Sequence, residues 1–211
     1  MACFPLMVEV ENKDVTVIGG GMVAYHKIKT LLPFGPVIKV ISEYFCVELI
    51  SLAKTQENRI TLCKKKFEVS DIDDESCFVI AATDNGKVQT LVSELCRERR
   101  IPVNVVDEKE KSSFYFPAVL KKEELVISVS TGGNSPVAAG HIRNKIAENL
   151  PAYYGKLIDI LGEYRGRALD EISLYCERKD FFKELLVYGE EHEGNLPLEV
   201  VEDILLKYKD K

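Results

Sequence analysis

Three consecutive glycines that close a short apolar strand constrain this chain more than any other feature. Val15-Thr16-Val17-Ile18 is β-branched throughout and mostly apolar, and Gly19-Gly20-Gly21 ends it. A helical pattern follows at once. Ala24, Ile28 and Leu31 share one face, and Pro33 stops the helix. The same alternation continues through apolar runs at 37–41, 59–62, 77–82 and 101–106, with a helical stretch carrying Val88, Val92 and Leu95 after the fourth. Strands that alternate with helices and are apolar on both faces predict a parallel sheet covered on both sides.

The rhythm changes after Asp107. Two strand-like runs, 114–119 and 125–130, flank the charged stretch Lys121-Lys122-Glu123-Glu124 and read as an antiparallel hairpin. Thr131-Gly132-Gly133-Asn134 leads into Ser135, suited to a helix N-cap, and Pro136, suited to the first helical position. Ala138, Ile142 and Ile146 then share a face. Everything from Pro151 reads as helix, with Leu157, Ile160, Leu161 and Tyr164 on one face and Leu198, Val201, Leu205 and Tyr208 on another. The expected fold class is α/β. A Rossmann-type parallel-sheet domain spans 1–113, a small α+β dimerisation segment 114–150, and an all-helical C-terminal domain 151–211.

Composition excludes several classes of function. Among 211 residues, 28 Lys and Arg face 34 Asp and Glu, a net charge of −6. A surface built to grip nucleic acid is usually basic, so no nucleic-acid partner is expected. No apolar run nears the roughly 18–20 residues that span a bilayer, so no membrane partner is expected. The first residues lack a basic n-region and do not resemble a signal peptide. The six cysteines are scattered with no C-x-x-C pair. They read as reduced thiols of a cytoplasmic protein. Asp71-Ile72-Asp73-Asp74-Glu75 lacks the glycine and terminal glutamate of a calcium loop and reads as a solvated connection.

The glycine run fits G-x-G-x-x-A, from Gly19 to Ala24, in the strand–turn–helix setting that a dinucleotide fingerprint requires. Gly19 permits the tight turn. Gly20 lies between, and Gly21 lets the backbone approach a diphosphate. The first-turn N–H groups near Met22 and Val23 face it. The alternative is a βα turn without a ligand. At the end of the second strand, Ser42 and Glu43 stand where a ribose-reading acid belongs, and no Arg or Lys follows at once, which favours NAD over NADP. Thr83 and Asp84 follow the fourth strand at the ligand-binding edge of such a sheet, or else cap the next helix.

In order and spacing, several motifs coincide: Phe4-Pro5-Leu6; Val17-Ile18-Gly19-Gly20-Gly21 with Val23, Ala24 and Lys27; Ala81-Ala82-Thr83-Asp84; Asn104-Val105-Val106-Asp107; Ser113-Phe114 with Phe116-Pro117-Ala118; and Ser130-Thr131-Gly132-Gly133 with Ser135-Pro136-Val137. Together they resemble the precorrin-2 dehydrogenase family of sirohaem synthesis over about residues 4–150. That family includes dehydrogenases, bifunctional dehydrogenase/ferrochelatases and the amino-terminal module of larger sirohaem synthases; this chain looks like the free-standing form. The resemblance implies NAD-dependent oxidation of precorrin-2 to sirohydrochlorin by a homodimer, and in some members Fe²⁺ insertion. It also implies a functional aspartate at Asp107, whose carboxylate could accept a proton or orient a pyrrole N–H, and a tetrapyrrole near Thr131, Gly132, Gly133 and Ser135. Taken as residues alone, Asp107 could instead cap its turn, and the second glycine loop could be an ordinary strand-to-helix turn.

Precorrin-2 is a polycarboxylate, so an acidic protein needs a locally basic cleft. Arg143 is the chosen contact, with Lys145, Arg165 and Arg167 as further candidates. The family often has an arginine where this chain has Gly140 and a bulky apolar residue at His141. The histidines His26, His141 and His192 have no paired spacing, so no metal site is assigned and iron insertion is expected to be weak or absent. Two other readings remain. One is another small NAD oxidoreductase, for which the Tyr25/Lys29 pair sits on the wrong helix to serve as a proton relay. The other is an NAD(H)-sensing regulatory module without catalysis.

Overall fold

Five parallel strands organise the first of two units in the computed structural model, which describes residues 3–209. The strands are β1 (Asp14–Ile18), β2 (Val37–Ser42), β3 (Ile60–Lys64), β4 (Phe78–Ala81) and β5 (Val103–Val105), in spatial order β3-β2-β1-β4-β5. β1 lies central, Val15–Ile18 being paired with β2 on one side and β4 on the other. The order therefore reverses at β1, and in open α/β sheets a ligand crevice forms at the carboxyl edge of such a switch point.

Helices cover both faces, as the two-sided apolar strands require. α1 (Met22–Leu31) and α2 (Val47–Thr55) place Ala24, Ile28, Leu31, Leu49 and Ala53 against Val15, Val17, Ile38, Val40 and Ile80. α3 (Gly86–Arg99) places Val92 and Cys96 against Ile18, Ile41, Val79 and Val105 on the other face. This unit runs up to Pro117 and takes in Ser130–Pro136.

The second unit contains Ala118–Val129 and the chain from Val137 onward. The hairpin and the helix after it thus group with the helical tail, where the sequence suggested a separate segment over 114–150. β6 (Ala118–Lys122) and β7 (Leu125–Val129) pair antiparallel, Ala118 opposite Val129 and Lys122 opposite Leu125. The first strand begins later than the pattern at 114–119 suggested, because Phe114 and Phe116 pack with Phe78 in the first unit. Lys121 and Lys122, expected in the turn, belong to β6. The turn is the tighter Glu123-Glu124, with Glu123 at φ 47°.

α4 (Pro136–Asn149) begins at Pro136 as expected, but Ala139 is its buried residue and Ile142 is exposed. α5 (Tyr154–Glu163), α6 (Arg165–Glu171), α7 (Tyr175–Glu191) and α8 (Leu198–Tyr208) close around Leu157, Ile172, Phe181, Leu185, Val201 and Leu205. Leu198, assigned to the buried face by spacing, is exposed, and Ile204 is buried instead.

The acidic run is not a wholly solvated link. Asp71 is buried: its carboxylate accepts from the Glu68 N–H at 2.9 Å and pairs with Lys65 at 3.1 Å. Ile72 enters the core, and Asp74 pairs with Arg99 at 2.9 Å.

Candidate functional site

The three glycines serve different ends. Gly19 has φ +113°, and a Cβ there would lie 2.0 Å from the Ala82 carbonyl oxygen. The end of β1 therefore meets the end of β4 too closely for any side chain. A Cβ on Gly20 would lie 2.3 Å from the Tyr44 carbonyl oxygen, and the Gly20 carbonyl accepts from the Cys46 N–H at 2.8 Å. Gly20 is thus fixed by the loop after β2.

Gly21 is different. It is the N-cap of α1 in extended backbone, and the nearest atom to a Cβ there is the Tyr44 hydroxyl at 3.7 Å. The first bond of the helix runs from the Tyr25 N–H to the Gly21 carbonyl, so the N–H groups of Met22 and Val23 have no helical acceptor. No side chain caps the helix. Open space, free donors and the positive end of the helix dipole meet at one point, and a diphosphate fits there.

Beyond Gly20 lie Ser42, at the end of β2, and the exposed Glu43. The register of β3 sets Lys64 opposite Ser42, and the Lys65 N–H donates to the Ser42 carbonyl at 3.1 Å. Lys65 is held by Glu68 and Asp71. Lys64 is exposed. No cation follows Glu43 directly along the chain; strand pairing brings Lys64 alongside instead.

On the other side of β1, Thr83 and Asp84 follow β4, and Asp107 follows β5. Asn85, not Asp84, caps α3: its side-chain oxygen accepts from the N–H groups of Lys87 and Val88. The Thr83 hydroxyl accepts from the Asn85 N–H at 3.3 Å. The Gln89 amide donates to the carbonyls of Thr83 at 2.8 Å and Val106 at 3.4 Å. It ties the two loops of the crevice together. Asp107 is exposed, with φ 61°, a left-handed conformation that Asp tolerates better than most residues.

Lys27 stands out among residues that the sequence reading gave no role. It lies half-buried on α1, three residues after Ala24 and four before Leu31 on the packed stripe. Its ammonium sits 4.3 Å from the centre of the Phe116 ring. Burial pushes its pKa below the usual lysine range, and the neighbouring Asp107 charge opposes that fall. A lysine on the edge of an apolar stripe was the available signal.

The second glycine loop belongs to the same unit as Asp107. The Lys109 ammonium donates to the Gly132 carbonyl at 2.9 Å. Gly132 and Gly133 have φ 61° and 81°. The Thr131 hydroxyl accepts from the Ser135 N–H and donates to the Ser135 carbonyl, both at 3.0 Å, closing the loop on itself. The Gly132 N–H donates to the Ser130 hydroxyl at 3.2 Å.

The remaining candidates separate. Arg143 lies in the second unit and donates to the Val119 carbonyl at 3.3 Å, while its Nε is buried with no hydrogen-bond partner among the described residues. Arg167 pairs with Glu171 at 2.8 Å and with both oxygens of Glu202. Tyr25 lines a groove against α2 with Lys29 5.8 Å from its ring. Burial pushes the Cys96 thiol up to about 11 and raises Cys77, so neither is an activated nucleophile. His192 stacks on Tyr188 and contacts its carbonyl at 2.8 Å. Among the described residues no group of three or more His, Cys, Asp and Glu is arranged to hold a metal ion, and no helix is long and apolar enough to cross a membrane.

A family model described as "Putative NAD(P)-binding" matches residues 6–118, and one described as "Sirohaem biosynthesis protein central" matches residues 124–149. Siroheme synthase of Ruthia magnifica subsp. Calyptogena magnifica is 35% identical over 183 residues, covering 87% of this chain and 38% of the relative. Siroheme synthase of Thioalkalivibrio sulfidiphilus is 37% identical over 186 residues, covering 88% and 37%. The chain thus spans less than two-fifths of the length of these relatives. Among solved structures, SirC, a precorrin-2 dehydrogenase, superposes with a TM-score of 0.75 over 99% of this chain and 100% of its own, at 19% identity. The fold is shared over the whole chain.

Proposed function

The chain belongs to the NAD(P)-binding family matched over residues 6–118, and from that premise we propose that it is an NAD-dependent dehydrogenase that oxidises precorrin-2 to sirohydrochlorin in sirohaem synthesis. The observation that carries the reading is Gly21 at the head of α1, where a Cβ would meet no atom closer than 3.7 Å, with unused donors beside it. The central sirohaem-biosynthesis segment, the siroheme synthase relatives and the fold shared with SirC support the choice of substrate.

The bound dinucleotide supplies a hydride acceptor. Gly19, Gly20 and Gly21 shape the turn, and the N–H groups of Met22 and Val23 hold the diphosphate. Ser42 and Glu43 take the adenosine ribose, and the Glu43 carboxylate accepts from its 2′-hydroxyl, which selects NAD over NADP. Thr83 and Asp84 line the crevice beyond β4. The substrate must lose a proton as well as a hydride. Asp107 accepts that proton or orients the pyrrole N–H from which it comes. The loop of Thr131, Gly132, Gly133 and Ser135 borders the substrate.

The active form is a homodimer. In the single chain Val137 and Ile142 of α4 are exposed and no residue of β6 or β7 is fully buried, which leaves apolar surface for a second copy. A nicotinamide-dependent reaction and six free cysteines suit the cytoplasm. Iron insertion is weak or absent, since His26 and His141 are exposed and His192 is engaged by Tyr188. The test is an anaerobic spectroscopic assay with precorrin-2 and NAD⁺, repeated with sirohydrochlorin and Fe²⁺. Oxidation without comparable metal insertion is expected. Tight NADH binding without any turnover would replace this reading with that of a nucleotide sensor.

A further inference from the structure

We propose that Lys27 receives a carboxylate of the anionic substrate beside Asp107, and so decides how that substrate seats at the reacting edge. The inference rests on the dehydrogenase reading and adds a contact to it.

The placement is built. Phe116, beneath the ammonium, packs against Phe78 and Phe114 at ring separations of 6.2 and 5.5 Å. The Asn104 amide donates to the Phe114 carbonyl at 3.0 Å and pins that segment to β5. The ammonium itself makes no ion pair and no hydrogen bond among the described residues; the aromatic face and the field of Asp107 are its surroundings. A half-buried cation with free donors loses solvation without a direct partner in return. A ligand anion supplies that partner.

Charge decides which ligand. A polycarboxylate approaching Asp107 meets a like charge, and a neighbouring cation must offset it. The Asp107 charge acts on Lys27, opposing the fall that burial imposes on its pKa, and the ammonium is placed by the Phe116 ring 4.3 Å away. The dinucleotide's own anionic group belongs at the head of α1, by Met22 and Val23, whereas Lys27 lies on the second turn toward Asp107 and Phe116. The carboxylate therefore comes from the substrate. Lysine's flexible stem also lets the ammonium leave the ring face to meet it.

The experiment compares the wild-type chain with K27M, K27Q and K27R. It measures precorrin-2 KM and kcat, sirohydrochlorin binding by absorbance titration and NAD⁺ affinity by calorimetry. K27M and K27Q should raise KM and weaken sirohydrochlorin binding by about tenfold or more. NAD⁺ affinity should hold, and K27R should recover most of the loss. NAD⁺ affinity also reports that the variants fold, and K27Q serves if K27M does not. Unchanged KM and sirohydrochlorin affinity would overturn the proposal, as would a loss confined to kcat or to NAD⁺. Wild-type protein that neither oxidises precorrin-2 nor binds sirohydrochlorin would overturn the parent reading and this one with it; an active wild type with indifferent variants overturns this one alone.

Discussion

Adding one methyl group at Gly19 and at Gly21 should separate folding from ligand binding. At Gly19 the backbone sits at φ +113°, and a Cβ would meet the Ala82 carbonyl oxygen at 2.0 Å and its carbon at 2.5 Å. The dihedral strain costs about 1–3 kcal/mol. Forcing β1 from β4, which are held there by the Ala82 N–H to Ile18 carbonyl bond of 2.7 Å, costs about 1–3 kcal/mol more. G19A should therefore lose about 2–6 kcal/mol, a large part of the roughly 5–15 kcal/mol of a whole domain. At Gly21 the backbone is extended and the nearest atom is 3.7 Å away, so G21A should fold with nearly unchanged stability. Its methyl, however, stands where a diphosphate must approach. Losing one charge-assisted bond of about 1.5–3 kcal/mol weakens binding roughly ten- to hundredfold. Urea unfolding and NAD⁺ calorimetry on both variants measure the two effects. G21A binding NAD⁺ as tightly as wild type would refute the assignment of the turn, and G19A unfolding at the wild-type midpoint would refute its geometry.

Three further outcomes are expected. D107N should keep wild-type NAD⁺ affinity and stability, because Asn tolerates the left-handed backbone at this position, while precorrin-2 oxidation is abolished; calorimetry, urea unfolding and stopped-flow absorbance check the three in turn. NAD⁺ should bind more tightly than NADP⁺. E43Q should narrow that gap by about tenfold, since it removes a like charge while Lys64 remains opposite Ser42; competitive titration measures it. The helical unit should lose stability in acid. Arg167 lowers the pKa of Glu171 and Glu202, and Lys207 lowers that of Glu184. Their contribution is complete above the unfolded carboxylate value of about 4.3 and is lost as pH falls through the lower folded values. Circular dichroism melts from pH 7 to 3 should show the decline, and R167A should flatten it.

The sheet and its ligand edge were readable from sequence because both rest on local rules. Two-sided apolar runs demand cover on both faces, and a glycine turn between strand and helix has few other uses. The part Gly19 plays follows from a left-handed backbone that the residue type already announces. Helix faces were less legible. Ile142 has the spacing of a core residue yet is exposed in the single chain, because periodicity marks a stripe without saying what covers it. Phe114 and Phe116 have strand character but fill a gap beside Phe78 instead, since aromatic burial outweighed strand pairing there. Lys64, opposite Ser42, and Lys27, beside Asp107, are far from those partners along the chain, and only folding sets each pair side by side. Amino-acid order alone determined the type of fold and where the glycine turn falls between strand and helix, because those depend on neighbours along the backbone. Which cations stand near Ser42 and Asp107 was left to tertiary structure, because electrostatic fields act through space and take no account of separation in the chain.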